Sequence, residues 1–279
     1  MGELAEHGIA RLRAGNPSPY TLDGTNTWVL GRDPAWVVDP GPSLAEHLDA
    51  VAAEVARRGG AGGIAVTHDH EDHVEGVEAL RSRLGGPPVA AARYGGAADA
   101  EAGAAATAGA GGADRSAATA GAGAADRTAA VLLADGDRFG PLLAVAIPGH
   151  ADDHLAFVAD RACFTGDAVL GEGSVFVTGR LAEYLAALER LRALDLAVLC
   201  PGHGPPVWDP EAKLGEYLAH RLEREERLMA ALEAGLRTPD ELLDSAWSDA
   251  PPALRAAAAM TLDAHLGKLR EEGRLPAGL

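Results

Sequence analysis

The sequence predicts an α/β protein in which two sheets pack together with helices outside, followed by a small helical unit. Three observations carry this. Apolar runs of strand length occur in both halves of the chain, with helical patterns between them. Five of these runs end in a His or Asp near glycine, and strand ends at one edge of a sheet are where α/β sites are built. Residues 210–279, by contrast, carry helical patterns alone.

Composition limits the function classes. The chain has 279 residues, 47% of them apolar, which allows one large domain or one domain with an appendage. Aromatic residues make up only 4%, so the core must come from Ala, Val and Leu. A net charge of −17 disfavours general affinity for nucleic acid or anionic membranes. The start, "MGELAEHGIARLRAG", has no apolar core of signal-peptide length, and no run approaches the length of a membrane span. A cytoplasmic protein is expected. Cys163 and Cys200 end apolar runs and read as buried free thiols.

The elements follow in order. "NTWVL" and "AWVV", separated by "GRDP", predict a strand hairpin. "PSLAEHLDAVAAEVARR" predicts a helix, with Ser43 and Glu46 as a capping box and Leu44, Leu48, Val51 and Val55 on one face. "IAVT" reads as a strand, "HVEGVEALRSRL" as a helix and "VAAA" as a short strand. Residues 95–130 are Ala and Gly with a tandem repeat, "TAGAGGADRSAA" then "TAGAGAADRTAA", and read as a surface insertion. "LLADGDRFG" with "LLAVAI" predicts a hairpin, as does "LAFVAD" with "ACFTG". "RLAEYLAALERLRAL" predicts a helix, and "LAVLC" the last strand of a main unit spanning residues 1–209.

Residues 210–279 predict three helices. The second has Thr238 as its cap, Pro239 at its first position and Glu241 completing a box. The arrangement suggests a winged helix with a stunted wing. From Glu211 onward there are nine Lys/Arg and thirteen Asp/Glu, a net of −4, whereas a DNA-reading helix should be basic. A packing or substrate-capping role is expected.

The chemistry lies at the strand ends. "THDHEDHVEG" crowds three His and three acids into positions 68–73. If the segment is extended, His68 and His70 point one way, and Asp69 and Glu71 the other. The chain then turns into a helix, so Asp72 and His73 face a second point. Imidazole with carboxylate suits zinc. One loop thus offers two ligands to each of two metals. Each metal needs another His, and "AIPGHADDH" and "LCPGHG" supply His150 and His203. Asp167 in "CFTGD" is available between the metals, and Asp39 in "VVDPG" ends a further strand.

With these motifs the sequence resembles the metallo-beta-lactamase superfamily, whose signature matches His68-x-His70-x-Asp72-His73. The resemblance implies an αββα sandwich holding two Zn²⁺, with Mn²⁺ or Fe²⁺ as alternatives. It assigns His68, His70 and His150 to one metal and Asp72, His73 and His203 to the other. Asp167 would bridge the metals, and Asp39 would buttress the site without binding metal. True β-lactamases of this kind carry Cys at the position of Asp167, so antibiotic hydrolysis is not expected. "NPSPYTLDGTNTWVLG", "GHADDH", "GDAVLGEGS" and "PEAKLGEYLAHRLEREERLM" resemble the lactamase-beta-like-2 branch in particular, which includes an endoribonuclease and thioesterases acting on carrier-bound acyl chains. Ala187 departs from that branch, where Ser is common.

Zinc lowers the pKa of bound water to ~7, so the resemblance implies a bridging hydroxide attacking an ester or thioester carbonyl. The expected substrate is a small molecule or an acyl thioester. RNA phosphodiester hydrolysis is the second reading, and a nucleic-acid-binding regulator with a structural metal the third. Neither duplex DNA nor a membrane is expected as a partner. Asp72 and His154 are the candidate catalytic residues; His154 reads equally as a proton donor or as a support behind the metals. His220 and Arg221, on the long helix, are candidate substrate contacts at the mouth.

Overall fold

The computed structural model describes residues 2–92 and 130–276. The expected Ala/Gly insertion therefore lies outside the described residues, except for Ala130, which opens a strand.

Two sheets form the centre. The first contains β1 (Ile9–Arg13), β2 (Asn26–Leu30), β3 (Ala35–Val38), β4 (Ala61–Ala65), β5 (Val89–Ala92) and β6 (Ala130–Leu133), paired in that order. Its first three strands are antiparallel, and β3 to β6 run parallel. The second contains β7 (Arg138–Phe139), β8 (Leu142–Ala146), β9 (Leu155–Ala159), β10 (Ala162–Gly166) and β11 (Val198–Pro201), in the order 11-10-9-8-7. Only the β10–β11 pair is parallel there.

The helices are α1 (Gly2–Glu6), α2 (Ala45–Arg57), α3 (Glu71–Val74), α4 (Val77–Arg83), α5 (Leu181–Arg192), α6 (Pro210–Glu233), α7 (Pro239–Ala246) and α8 (Arg255–Glu271). Alternation along the strands builds three layers of core. On β2, Trp28 and Leu30 face the second sheet, packing with Phe157 and Phe164, while Val29 faces α2 and α4. On the other outer face, Val145, Ala156 and Leu199 meet Leu181 and Leu188 of α5 and Leu214 of α6. Each large apolar side chain fully buried in these layers stabilises the fold by roughly 1.5–3 kcal/mol. The αββα sandwich is thus the one expected.

Helix α6 belongs to two cores. Leu214, Tyr217 and Leu218 pack on the sandwich, whereas Leu228 and Leu232 pack with α7 and α8. Helix α6 starts at Pro210, and the Asp209 side chain caps it by accepting from Ala212 N at 3.0 Å. The helical unit is nevertheless continuous with the sandwich through that helix.

Several local expectations change. Ser43 does not cap α2; Leu44 holds that position without a side-chain bond, and the Ser43 amide donates to Glu75 at 2.9 Å. The predicted helix from His73 breaks at Glu75 and Gly76, where Gly76 lies too close to the Gly41 carbonyl to carry a side chain. Leu132 and Leu133 end the first sheet on β6, so only Arg138–Phe139 pairs with β8 in the expected hairpin. Strand β1 is an addition to the elements the sequence predicts. The Thr238 capping box is present, and no strand follows Pro201 among the described residues, so the wing is not seen there.

Candidate metal centre

Backbone geometry brings the strand ends together. Asp39 follows β3 in the left-handed region at φ 53°. Its carboxylate accepts from Thr67 N at 2.8 Å, from Thr67 Oγ1 at 2.9 Å and from His73 Nδ1 at 2.9 Å. This ties the end of β3 to the loop after β4 and turns the other nitrogen of His73, Nε2, inward.

Four of the five histidine rings are fixed by Nδ1 and offer Nε2. For His73 the fixing group is Asp39. His68 Nδ1 lies 3.0 Å from Thr67 Oγ1, His150 Nδ1 donates to Phe176 O at 3.2 Å, and His203 Nδ1 faces Gly24 O at 3.4 Å. His70 presents Nδ1 to the centre instead, 3.0 Å from both His68 Nε2 and His150 Nε2. Four zinc ligands at ~2.0–2.1 Å in a tetrahedron lie about 3.3 Å apart, close to that spacing.

Two groups result. The ligating atoms of His68, His70, His150 and Asp167 lie within 4.8 Å of one another, and so do those of Asp72, His73 and His203. Asp167 reaches both: Oδ2 lies 3.7 Å from His150 Nε2 and 3.2 Å from His203 Nε2, and Oδ1 lies 3.4 Å from His73 Nε2. His73 Nε2 and Asp167 Oδ1 are buried with no hydrogen-bond partner. Buried polar atoms left unpaired cost stability, and a pair of divalent cations would satisfy both, so the donor set fits the metals that the fold implies. Asp69 and Glu71 are exposed and belong to neither group.

Electrostatics divides the rings. Burial holds His68 well below the usual imidazole range, with His73 adding to the effect. His70 and His150 are lowered too, again chiefly by burial. Burial also opposes charge on His73 and His203, but there the carboxylates win. Asp167 and Asp39 lift His73 well above the usual range, and hydrogen bonds to Asp167 and Asp72 raise His203 to about 9. Burial would raise both acids, yet His203 and His73 hold Asp72 at about 2 and Asp167 well below the usual carboxylate range.

Two candidate roles change. His154 is 1% exposed, and its Nε2 accepts from the Asp167 amide at 3.1 Å. It stacks on His68 at 4.6 Å. Burial holds it well below the usual imidazole range, and from this position it supports Asp167 and His68 from behind. Arg221 is 2% exposed, and its guanidinium donates to Ser174 Oγ and Val175 O. It holds a loop and does not reach into the mouth. His220 is half-buried, with Nδ1 3.4 Å from Ser174 Oγ.

Sequence reasoning missed Thr25 and Asn26. Thr25 Oγ1 donates to Asp72 Oδ2 at 2.9 Å. Asn26 Nδ2 donates to Pro201 O and Gly204 O, both at 2.9 Å, and so shapes the turn carrying His203. The available signal was a polar run opening an apolar strand, "TNTWVL", in which Thr25, Asn26 and Thr27 all prove buried.

An αββα sandwich with a His/Asp cluster in this order defines a class of protein, and comparison with known proteins points to the same one. The metallo-beta-lactamase superfamily pattern matches residues 20–203, and the chain belongs to that superfamily of metal-dependent hydrolases. It is similar to a beta-lactamase-like protein 2 homolog of Caenorhabditis elegans, at 29% identity over 97% of this chain and 87% of the relative. It is similar also to an atrochrysone carboxyl ACP thioesterase of Aspergillus chevalieri, at 31% identity over 80% of this chain and 65% of the relative. Among solved structures, a metallo-beta-lactamase family protein from Thermus thermophilus superposes with a TM-score of 0.67 at 26% identity, covering 95% of this chain and 94% of that one. Among the described residues, no helix is long and apolar enough to cross a membrane.

Proposed function

We propose that this protein is a dinuclear zinc hydrolase of esters or thioesters, acting on a small or carrier-bound acyl substrate. The observation that carries the reading is the convergence of seven side chains into two adjacent groups sharing Asp167. When bound there, two zinc ions would supply hydroxide at neutral pH and stabilise the oxyanion of the attacked carbonyl. His68, His70 and His150 would hold one, and Asp72, His73 and His203 the other.

The remaining work falls to the chain. Asp39 fixes His73, Thr67 fixes His68, and His154 fixes the backbone of Asp167. These contacts hold the ligating atoms in place before metal or substrate arrives, which limits reorganisation during reaction. The commitment of His154 to Asp167 also bears on substrate. An alkoxide leaving group needs a proton donor, and this histidine is turned away from that task; a thiolate needs little help. The acyl-carrier thioesterase among the relatives supports the same preference.

The test is metal content and turnover on one panel of acyl thioesters, lactones, simple esters and single-stranded RNA. We expect two zinc ions per chain, fastest turnover on a thioester, and loss of both metal and activity in His68→Ala and Asp167→Ala. Variants that kept two zinc ions and full activity would sink the reading. Preferential cleavage of RNA would move it to the phosphodiesterase alternative. Steeply salt-dependent binding of duplex DNA would favour the regulator.

A further inference from the structure

The chain from Ala168 to Thr178 links the shared carboxylate of Asp167 to the loop bearing His150, and it has no regular secondary structure. Side chains from two helices pin it. Tyr184 of α5 donates its hydroxyl to Ala168 O at 2.7 Å. Tyr217 of α6 accepts from Leu170 N at 2.9 Å. Arg221, one turn further along α6, donates to Ser174 Oγ at 3.2 Å and to Val175 O. The next carbonyl, that of Phe176, accepts from His150 Nδ1 at 3.2 Å. Thr178 then closes the path, donating its amide to Gly149 O at 2.8 Å.

Arg221 is unusual among these pins. It is 2% exposed, its Nε has no partner, and no carboxylate pairs with it among the described residues. Its guanidinium lies 6.0 Å from the Tyr184 ring centroid. A buried cation without a counter-ion is a poor stabiliser, because desolvation outweighs what two neutral acceptors return. What the guanidinium does provide is geometry: planar donors that fix the loop at two adjacent residues, immediately before the carbonyl that orients His150.

We propose that Arg221 is a positioning residue for the metal centre, fixing residues 174–176 so that the Phe176 carbonyl aims the His150 ring at the first metal group. This rests on the dinuclear reading above and adds a role for the C-terminal helices. Helix α6, which also packs with α7 and α8, acts as a strut behind the site, so the helical unit supports the geometry of the ligating loop.

The experiment measures zinc affinity, one equivalent at a time, by competition with a chromophoric chelator. It uses full-length wild type, Arg221→Met and Arg221→Lys, together with the absorption spectrum of each protein loaded with cobalt. Loss of an outer contact to a ligating histidine weakens metal binding by about 10–100-fold. We expect that loss in Arg221→Met for the equivalent held by His68, His70 and His150, with a changed cobalt spectrum and the other equivalent within about threefold of wild type. Arg221→Lys should recover part of the loss. If the Met variant does not fold, Arg221→Gln, which keeps a donor for Val175 O, takes its place with a smaller loss expected. A folded variant without the guanidinium, with both affinities and the cobalt spectrum unchanged, overturns the proposal and leaves the dinuclear reading standing. Wild type that takes up no zinc overturns both.

Discussion

The two halves of the candidate metal centre place the same residue type in opposite electrostatic surroundings. In one, burial lowers His68, His70 and His150 below the usual imidazole range, and His68 and His150 turn Nε2, and His70 Nδ1, toward a common point. In the other, burial is overcome: Asp167 and Asp39 raise His73 well above the usual range, and Asp167 and Asp72 raise His203 to about 9. The difference comes from the groups surrounding the rings. Thr67 Oγ1 and the Phe176 carbonyl are neutral partners, whereas Asp39 Oδ2 is an anion 2.9 Å from His73. Burial sets the default for an imidazole, and a pair of well-placed carboxylates reverses it.

The largest way to break this comparison is to remove what the halves share. Asp167→Ala deletes the only carboxylate in the first group and a near neighbour of both His203 and His73. Loss of an outer support costs about 10–100-fold, so loss of this ligand should exceed ~100-fold in turnover and lower the zinc content below two per chain. Turnover and elemental analysis check it. Equal retention of both metals would mean that the halves do not depend on Asp167.

Asp39→Asn tests the asymmetry itself. The amide retains the shape but removes one of the two charges that lift His73, leaving Asp167. The second zinc equivalent should weaken by about 10–100-fold and the first by far less. Stepwise chelator competition reads both, and a matched loss in the two equivalents would show that Asp39 acts on the whole fold instead.

His203, raised to about 9 from 6.5, is protonated in both folded and unfolded chains below about pH 6.5. Its ion pairs therefore contribute fully to apoprotein stability below that pH, and the contribution is lost as pH rises through about 9. Asp72, lowered to about 2, contributes above about pH 4, and that contribution is lost as pH falls through about 2. Metal binding runs the other way. Each proton that zinc must displace steepens affinity by up to about tenfold per pH unit. Between about pH 6.5 and 8 the second equivalent should tighten steeply with pH and the first hardly at all. Parallel slopes for the two equivalents would remove the distinction.

Legibility in the sequence followed the length scale of each contact. The candidate ligand positions could be read because each lies at the end of an apolar run, and the stretch from His68 to His73 holds four of them. The sheets could be read because β2, β3, β9, β10 and β11 are apolar enough to announce themselves. What failed depended on distant partners. Ser43 looks like a cap locally, but its amide is taken by Glu75, 32 positions away. Leu132 and Leu133 look like half of a hairpin, but β5 offers a parallel partner in the other sheet. Arg221 looks like a substrate contact at the mouth until Ser174 and Val175, 47 and 46 positions earlier, fold against it. Thr25 is separated from Asp72 by 47 positions, and no local pattern connects them.

That last contact yields the smallest prediction and the sharpest one. Thr25 is fully buried, and its hydroxyl donates to Asp72 Oδ2 at 2.9 Å. The same hydroxyl accepts from Asn16 Nδ2 at 2.9 Å, which holds it in that orientation. Valine has the same shape without the hydroxyl, so Thr25→Val should leave packing intact while removing this one hydrogen bond from Asp72 Oδ2, which still faces His203 Nε2 at 3.2 Å. A hydrogen bond to a charged group is worth about 1.5–3 kcal/mol. Asp72 is 27% exposed at its side chain, so water can replace part of that. The net loss should be a few-fold, at most about tenfold, and confined to the second zinc equivalent. Because Asp72 is the member of the cluster that Thr25 holds, a few-fold loss confined to the first equivalent would place Asp72 in the wrong half. The assignment of the two groups, and not merely their existence, is what this variant decides.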